Sequence, residues 1–234
     1  LASGTISGVE ALVRWKHPER GMISPGEFIP VAEKCGFMPE IGRIVIAKAI
    51  EEAAEWNRAG IDFGRMAVNV SGTELREHDF DAFLFRTLEK AGLPPQKLSL
   101  EIVESVILDD EKTGIAAKLR HIRAAGIHLE LDDFGTGYAS LSHVNPNEID
   151  RLKIDRRFVQ NIHENGDNTK IVRAITVAEG AETKAELDSL MQIGCDQVQG
   201  YSIAFPMPQD KAREWLLERM PRKPRLTVLK GSLA

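Results

Sequence analysis

His128-Leu129-Glu130-Leu131-Asp132-Asp133-Phe134-Gly135-Thr136-Gly137 joins an alternating apolar run to an acidic pair and two glycines. Leucines at every second position describe a strand, and the Gly-x-Gly that follows the acids describes the turn that ends it. The pattern recurs on both sides. Strands are expected over Ile6 to Trp15, Arg65 to Val70, Leu98 to Val103, His128 to Asp132, Arg151 to Ile154, Val177 to Glu179 and Gln197 to Ser202. Amphipathic helices are expected over Glu40 to Ala59, Asp79 to Ala91 and Asp109 to Ala125, the last two stopping before Gly92 and Gly126. Ser24-Pro25-Gly26-Glu27 and Thr183-Lys184-Ala185-Glu186 each read as a capping box, and Asp155 as the N-cap of a helix over Arg156 to Ile162.

Strands alternating with helices imply parallel pairing, in an open doubly wound sheet or a closed barrel. Polar strand ends decide between them. Glu10, Asn69, Glu101, Asp132, Asp133, Lys153 and Glu179 all stand where strands run out. A barrel converges every strand end on one rim, whereas an open sheet gathers only those near its switch point. The expected fold class is therefore α/β, a (β/α)8 TIM-like barrel, over residues 1–220, followed by a basic tail over 221–234 that reads as a solvated terminus. Seven strands are legible where a closed barrel needs eight, so an N-terminal strand is expected to be absent from the chain. About ten further residues are expected to be missing near Ile175 to Val177, where a helix start meets a strand end with no loop between.

Composition narrows the function. With 234 residues and 43% hydrophobic content, the chain can bury the core of one α/β domain. A formal net charge of -5 offers no electrostatic footprint for DNA or RNA. An anionic substrate would need local cations, either metals or placed Arg and Lys. Cys35 and Cys195 are too few for a disulfide framework, and no Cys/His cluster has zinc spacing. Reduced cytoplasm is the expected setting. No apolar run approaches the roughly 20 residues that span a bilayer.

The motifs, in order, are Glu10-Ala11-Leu12-Val13-Arg14-Trp15, Asn69-Val70-Ser71, Glu101-Ile102-Val103-Glu104, Asp132-Asp133-Phe134-Gly135-Thr136-Gly137-Tyr138, Leu152-Lys153-Ile154-Asp155, Ala178-Glu179-Gly180-Ala181-Glu182 and Gln199-Gly200-Tyr201. Together they closely resemble the EAL-domain cyclic-di-GMP phosphodiesterases of bacteria, from Gly8 to about Pro208. The resemblance implies a barrel with one antiparallel strand, the first, and hydrolysis of cyclic-di-GMP to linear pGpG by a two-metal activated water. Hard cations such as Mg2+ or Mn2+ take oxygen ligands, which these residue types supply, and Ca2+ is expected to inhibit.

By the same resemblance, Glu10, Asn69, Glu101 and Asp132 would hold one metal, with Asp132 bridging to a second held by Asp133 and Glu179. Lys153 would orient the activated water and counter phosphate charge, Arg14 would contact a substrate phosphate, and Gln199 would hydrogen-bond near the water or its ligands. Glu104 would steady the loop Phe134 to Ser142, to which Gly135 and Thr136 belong, and Glu182 would support Glu179 from outside the ligand shell. A homodimer and upstream sensory or cyclase domains are also implied.

Each residue has a plainer reading. A single strand-end carboxylate more often caps the next helix than binds metal, and a single lysine such as Lys153 is ordinarily exposed; the shared order of the motifs reverses both. The six histidines lack ligand spacing and read as structural. Two other functions compete: a catalytically silent cyclic-di-GMP receptor or interaction module, which would show a lost ligand or a broken Asp-Asp-Phe-Gly loop, and an enolase-like barrel using Lys153 as base. Finally, alternation places Glu130 below Asp132 and Arg151 below Lys153, inside the barrel, where relatives more often carry a small residue at the former. An unpaired buried carboxylate costs several kcal/mol, so these two are expected to pair within about 4 Å.

Overall fold

Seven parallel strands run in the order β1 (Gly8–Ala11), β4 (Arg65–Val70), β5 (Leu98–Val103), β6 (His128–Phe134), β7 (Arg151–Ile154), β8 (Val177–Ala178) and β9 (Gln197–Val198). The computed structural model describes residues 5–103, 106, 114–134, 149–160 and 177–219. Each strand pairs in parallel with the next in that order, so every connection is a crossover. Helices α1 (Pro25–Cys35), α2 (Met38–Arg58), α3 (Gly72–Arg76), α4 (Phe80–Ala91), α5 (Ile115–Ala124), α6 (Arg156–Val159), α7 (Lys184–Ile193) and α8 (Gln209–Arg219) follow the strands, with a 3-10 turn over Pro95–Lys97. The sheet curls until its edges meet through side chains: Ser7 Oγ donates to Gln197 Oε1 at 3.0 Å, and Gln199 Nε2 to Glu10 Oε2 at 2.6 Å.

Period-2 alternation explains which face became the core. Val68 and Val70, Leu98, Leu100 and Ile102, Leu129 and Leu131, and Ile154 are buried in one cluster with Ile46 and Ile50 of α2, Leu84 and Leu88 of α4, and Leu119 and Ile122 of α5. Helices thus cover the apolar face. The alternate positions of β5 to β7 are Ser99 and Glu101, Glu130 and Asp132, Arg151 and Lys153, so polar groups fill the space that branched aliphatics usually occupy in such barrels.

Several boundaries differ from expectation. The apolar run from Ile6 to Trp15 divides: Gly8–Ala11 joins the barrel, while β2 (Trp15–His17) pairs antiparallel with β3 (Gly21–Ile23) as a separate hairpin. The strand expected over Gln197 to Ser202 stops at Val198, and β6 continues past Asp132 to Phe134. Thr183 and Glu186 form the expected capping box, and Asp155 Oδ1 accepts from Arg157 N at 2.8 Å as an N-cap. Ser24 caps nothing through its side chain, although Pro25 opens the helix; Glu27 is drawn instead to Arg20, at 2.7 Å. The gap expected near Ile175 and the tail over 221–234 lie outside the described residues. Cys35 and Cys195 are not joined in a disulfide, and Cys195 Sγ donates to Gln197 O at 3.2 Å. No helix among the described residues is long and apolar enough to cross a membrane.

A capping box unforeseen in the sequence joins Ser71 to Glu74 just after Asn69. Glu74 Oε2 accepts from Ser71 N at 2.8 Å and from Ser71 Oγ at 2.5 Å, and the residue is buried. Burial pushes its carboxyl above the usual range, opposed by the two Ser71 bonds. Gly42 of α2 makes the room, since a Cβ there would lie 1.6 Å from Glu74 Oε1. Gly42→Ala must therefore expel Glu74 from its cap. The expected loss is about 1–3 kcal/mol, read as a lower denaturation midpoint at unchanged m. A loss under about 0.5 kcal/mol would mean that Glu74 moves aside freely.

Candidate metal centre

Lys153 stands at the centre of the site. Its side chain is 2% exposed, and Nζ lies 2.5 Å from Glu179 Oε1, 2.7 Å from Glu101 Oε1 and 3.7 Å from Asp132 Oδ1. These residues come from β5, β6, β7 and the end of β8, neighbours in the sheet order. Across the curl, Glu10 accepts from Asn69 Nδ2 at 2.7 Å on one carboxylate oxygen and from Gln199 on the other. Six of the residues expected to build a site, together with Gln199, are thus brought to one end of the barrel.

The acid pair reaches it by a route the sequence did not reveal. Consecutive strand residues face opposite sides, so Asp132 and Asp133 should diverge. The ladder between β6 and β7 runs Glu130 to Arg151 and Leu131 to Leu152, then resumes at Phe134 to Ile154. Asp132 and Asp133 together oppose Lys153, a β-bulge that turns Asp133, which alternation alone would aim outward, toward the cluster. Asp133 takes φ 53, in the left-handed region, and its N–H donates to Asp132 Oδ1 at 2.9 Å. Carboxylate oxygens of Asp132, Asp133 and Glu179 consequently lie within 4.8 Å of one another.

Glu179 is held from both sides. Its N–H donates to Ile154 O at 3.3 Å, continuing the ladder, and the next residue, Gly180, has φ 68 with the Arg156 side chain packed where a Cβ would stand. Arg156 in turn pairs with Glu182 at 2.9 Å, so Glu182 braces the segment without touching Lys153. Arg14 is exposed and donates to Val13 O at 2.7 Å, away from the cluster. Glu104, Gly135 and Thr136 lie outside the described residues. Asp155, assigned from sequence only to the cap, also lies close enough to Asp133 to raise its carboxyl.

Electrostatics shows what the cluster lacks. One lysine faces Glu10, Glu101, Asp132 and Glu179. Burial, and then the neighbouring negative charges of Glu10 and Asp132, push Glu101 up to about 9 despite Lys153. Glu179 is pushed up to about 7, first by burial and then by Asp132. Burial, Asp132 and Asp155 raise Asp133 as well. Lys153 goes up, because the acids overcome the burial that would lower it. The second oxygen of Glu101, Oε2, is buried with no hydrogen-bond partner among the described residues. An excess of carboxylates, one of them buried with an orphaned oxygen, fits hard divalent cations.

A cleft of about 580 Å³ opens beside the cluster between β1 and β9, lined by Glu10, Glu101, Lys153 and Gln199 and also by Glu130 and Arg151. Barrel and acid cluster together describe an α/β domain whose strand ends gather carboxylates able to hold a metal ion. A sequence profile of the EAL domain matches residues 1–206, and the chain belongs to the EAL-domain family. It is 40% identical over 224 residues to an uncharacterized signaling protein of Caulobacter vibrioides, covering 92% of this chain and 27% of that protein. It is 35% identical over 219 residues to the bifunctional diguanylate cyclase/cyclic di-GMP phosphodiesterase MucR of Pseudomonas aeruginosa, covering 89% of this chain and 32% of MucR. The solved structure of the PaMucR phosphodiesterase in complex with c-di-GMP superposes with a TM-score of 0.81 at 35% identity, over 89% of this chain and 88% of that one. The chain therefore spans about a third or less of the length of these two curated relatives.

Proposed function

We propose that this domain hydrolyses cyclic-di-GMP to linear pGpG with two divalent cations. The carrying observation is the surplus of carboxylates around buried Lys153, Glu101 buried and Glu10, Asp132 and Glu179 half-buried, with Asp132, Asp133 and Glu179 oxygens within 4.8 Å. Glu10, Asn69, Glu101 and Asp132 would hold one Mg2+ or Mn2+ and Asp133 and Glu179 the other, with Asp132 shared. When bound, such ions lower the pKa of water and stabilise charge on attacking and leaving oxygens. Water adds to one phosphorus and one ester P–O bond opens. The chain's own part is positional and electrostatic. Gln199 and Asn69 clamp Glu10 by both oxygens and fix its orientation. Lys153, pinned by Glu101 and Glu179, presents a fixed positive charge where negative charge grows on the phosphate. Arg14, on the segment between β1 and β2, would turn from Val13 O to a substrate phosphate, for which a guanidinium fork suits. Glu104, with the loop carrying Gly135 and Thr136, would govern Asp133.

The same reading includes cytoplasmic action, a homodimer, and sensory or cyclase domains elsewhere in a longer chain, in keeping with the greater length of the relatives. Purified protein with Mg2+ or Mn2+ should convert cyclic-di-GMP to pGpG, and Glu10→Ala should abolish turnover while leaving the fold intact by circular dichroism. Binding without turnover would instead support a receptor, and no binding at all would end the cyclic-dinucleotide reading. Replacing Mg2+ with Ca2+ should stop turnover without preventing substrate binding.

A further inference from the structure

Ser99, Glu130 and Arg151 each stand two residues before a member of the charged cluster, namely Glu101 on β5, Asp132 on β6 and Lys153 on β7. Side chains two apart share a strand face, so these three form a layer directly beneath the cluster. A single atom ties them: Glu130 Oε1 accepts from Ser99 Oγ at 2.6 Å and from Arg151 Nη1 at 2.9 Å. Ser99 and Glu130 are 0% and 3% exposed. Glu130 pairs with Arg151 along the ladder, on the rung that also holds Glu101, and Ser99 reaches Glu130 from two rungs below across three neighbouring strands. Directly above it, between Leu131 and Phe134, regular pairing of β6 and β7 breaks into the bulge.

A buried ion pair is a poor way to gain stability, because well-packed apolar residues of similar size commonly do as well or better. What it supplies here is lateral and directional constraint one rung before the regular pairing of β6 with β7 gives way to the bulge. We propose that the Ser99, Glu130 and Arg151 knot is a positioning device that sets the spacing of Glu101, Asp132 and Lys153 for cation binding. The knot acts through the ligands above it and touches neither substrate nor metal. This rests on the proposed two-cation site.

Two variants test it. Glu130→Gln keeps volume but loses the charge, and the double variant Glu130→Leu with Arg151→Leu replaces the pair with apolar packing. Both are checked for native circular dichroism at 25 °C and titrated with Mn2+ by calorimetry, without substrate. Expected is a fall in Mn2+ affinity of about 10–100-fold in each, the range seen when partners behind metal ligands are removed. With cyclic-di-GMP, kcat should fall while KM stays within about twofold, as for an interaction used in the transition state. A double variant that melts at or above the parent temperature and binds Mn2+ like the parent would overturn the proposal, since the knot would then be structural alone. If either variant fails to fold, Ser99→Ala, which leaves the ion pair in place, carries the same affinity comparison and decides it. Mn2+ binding by the parent without turnover would defeat only the proposed activity. An absence of Mn2+ binding by the parent would defeat both.

Discussion

Lys153→Met should abolish measurable turnover and lower the stability of the metal-free protein by about 3–5 kcal/mol, the range for removing one partner of a buried ion pair. Glu101, Glu179 and Asp132 all rely on this one ammonium, which is 2% exposed. Methionine keeps the apolar stem packed, so the change isolates the charge. Mn2+ separates a positioning lysine from a mere counter-ion. With the competing cation gone, the variant should bind Mn2+ at least as tightly as the parent. At about 100 times the dissociation constant, binding returns roughly 2.7 kcal/mol of stability. Turnover should not return, because a placed charge at the reacting phosphate commonly contributes on the order of 10²–10³ to rate. Thermal melts with and without Mn2+, with pGpG release assayed in parallel, read both effects. Turnover within tenfold of the parent would remove Lys153 from the catalytic machinery.

That lysine was legible in the sequence only through its place in an ordered series of motifs, since an isolated Leu-Lys-Ile-Asp gives no reason to bury the charge. Local periodicity carried more of the rest. Alternation alone placed Glu130 beneath Asp132 and Arg151 beneath Lys153, and the pair is found at 2.9 Å. The Thr183 box and the Asp155 cap were legible because their partners lie two or three residues away. Features set by distant partners were not. Glu27 abandons Ser24 for Arg20 across seven positions, and the run from Ile6 to Trp15 hides a change of sheet that depends on where Ile23 packs. Asp155 meets Asp133 only because β6 and β7 are neighbours. The bulge escaped for the same reason: register with β7 is a property of two strands, and no residue within β6 announces it.

Deleting Asp133 turns that bulge into an experiment. The deletion leaves Asp132 opposite Lys153 and Phe134 opposite Ile154, a regular ladder in which Phe134 keeps its buried place. The domain should fold, and it loses a non-glycine residue at φ 53, so the backbone cost of the bulge disappears with it. Asp133→Gly is the companion: it keeps the bulge and its left-handed residue but removes the carboxylate. Both variants should bind one Mn2+ where the parent binds two, and both should lose about 4 kcal/mol of transition-state stabilisation, on the order of 10³ in kcat. They differ in what remains. In the glycine variant Asp132 is still aimed by the bulge and the remaining cation should bind with near-parental affinity. In the deletion Asp132 takes up regular pairing opposite Lys153 and shifts from its place in the bulge, and that affinity should fall as well. Equal affinities in the two variants would show that the second aspartate matters only as a ligand. A gap of tenfold or more would show that the extra residue also aims the first.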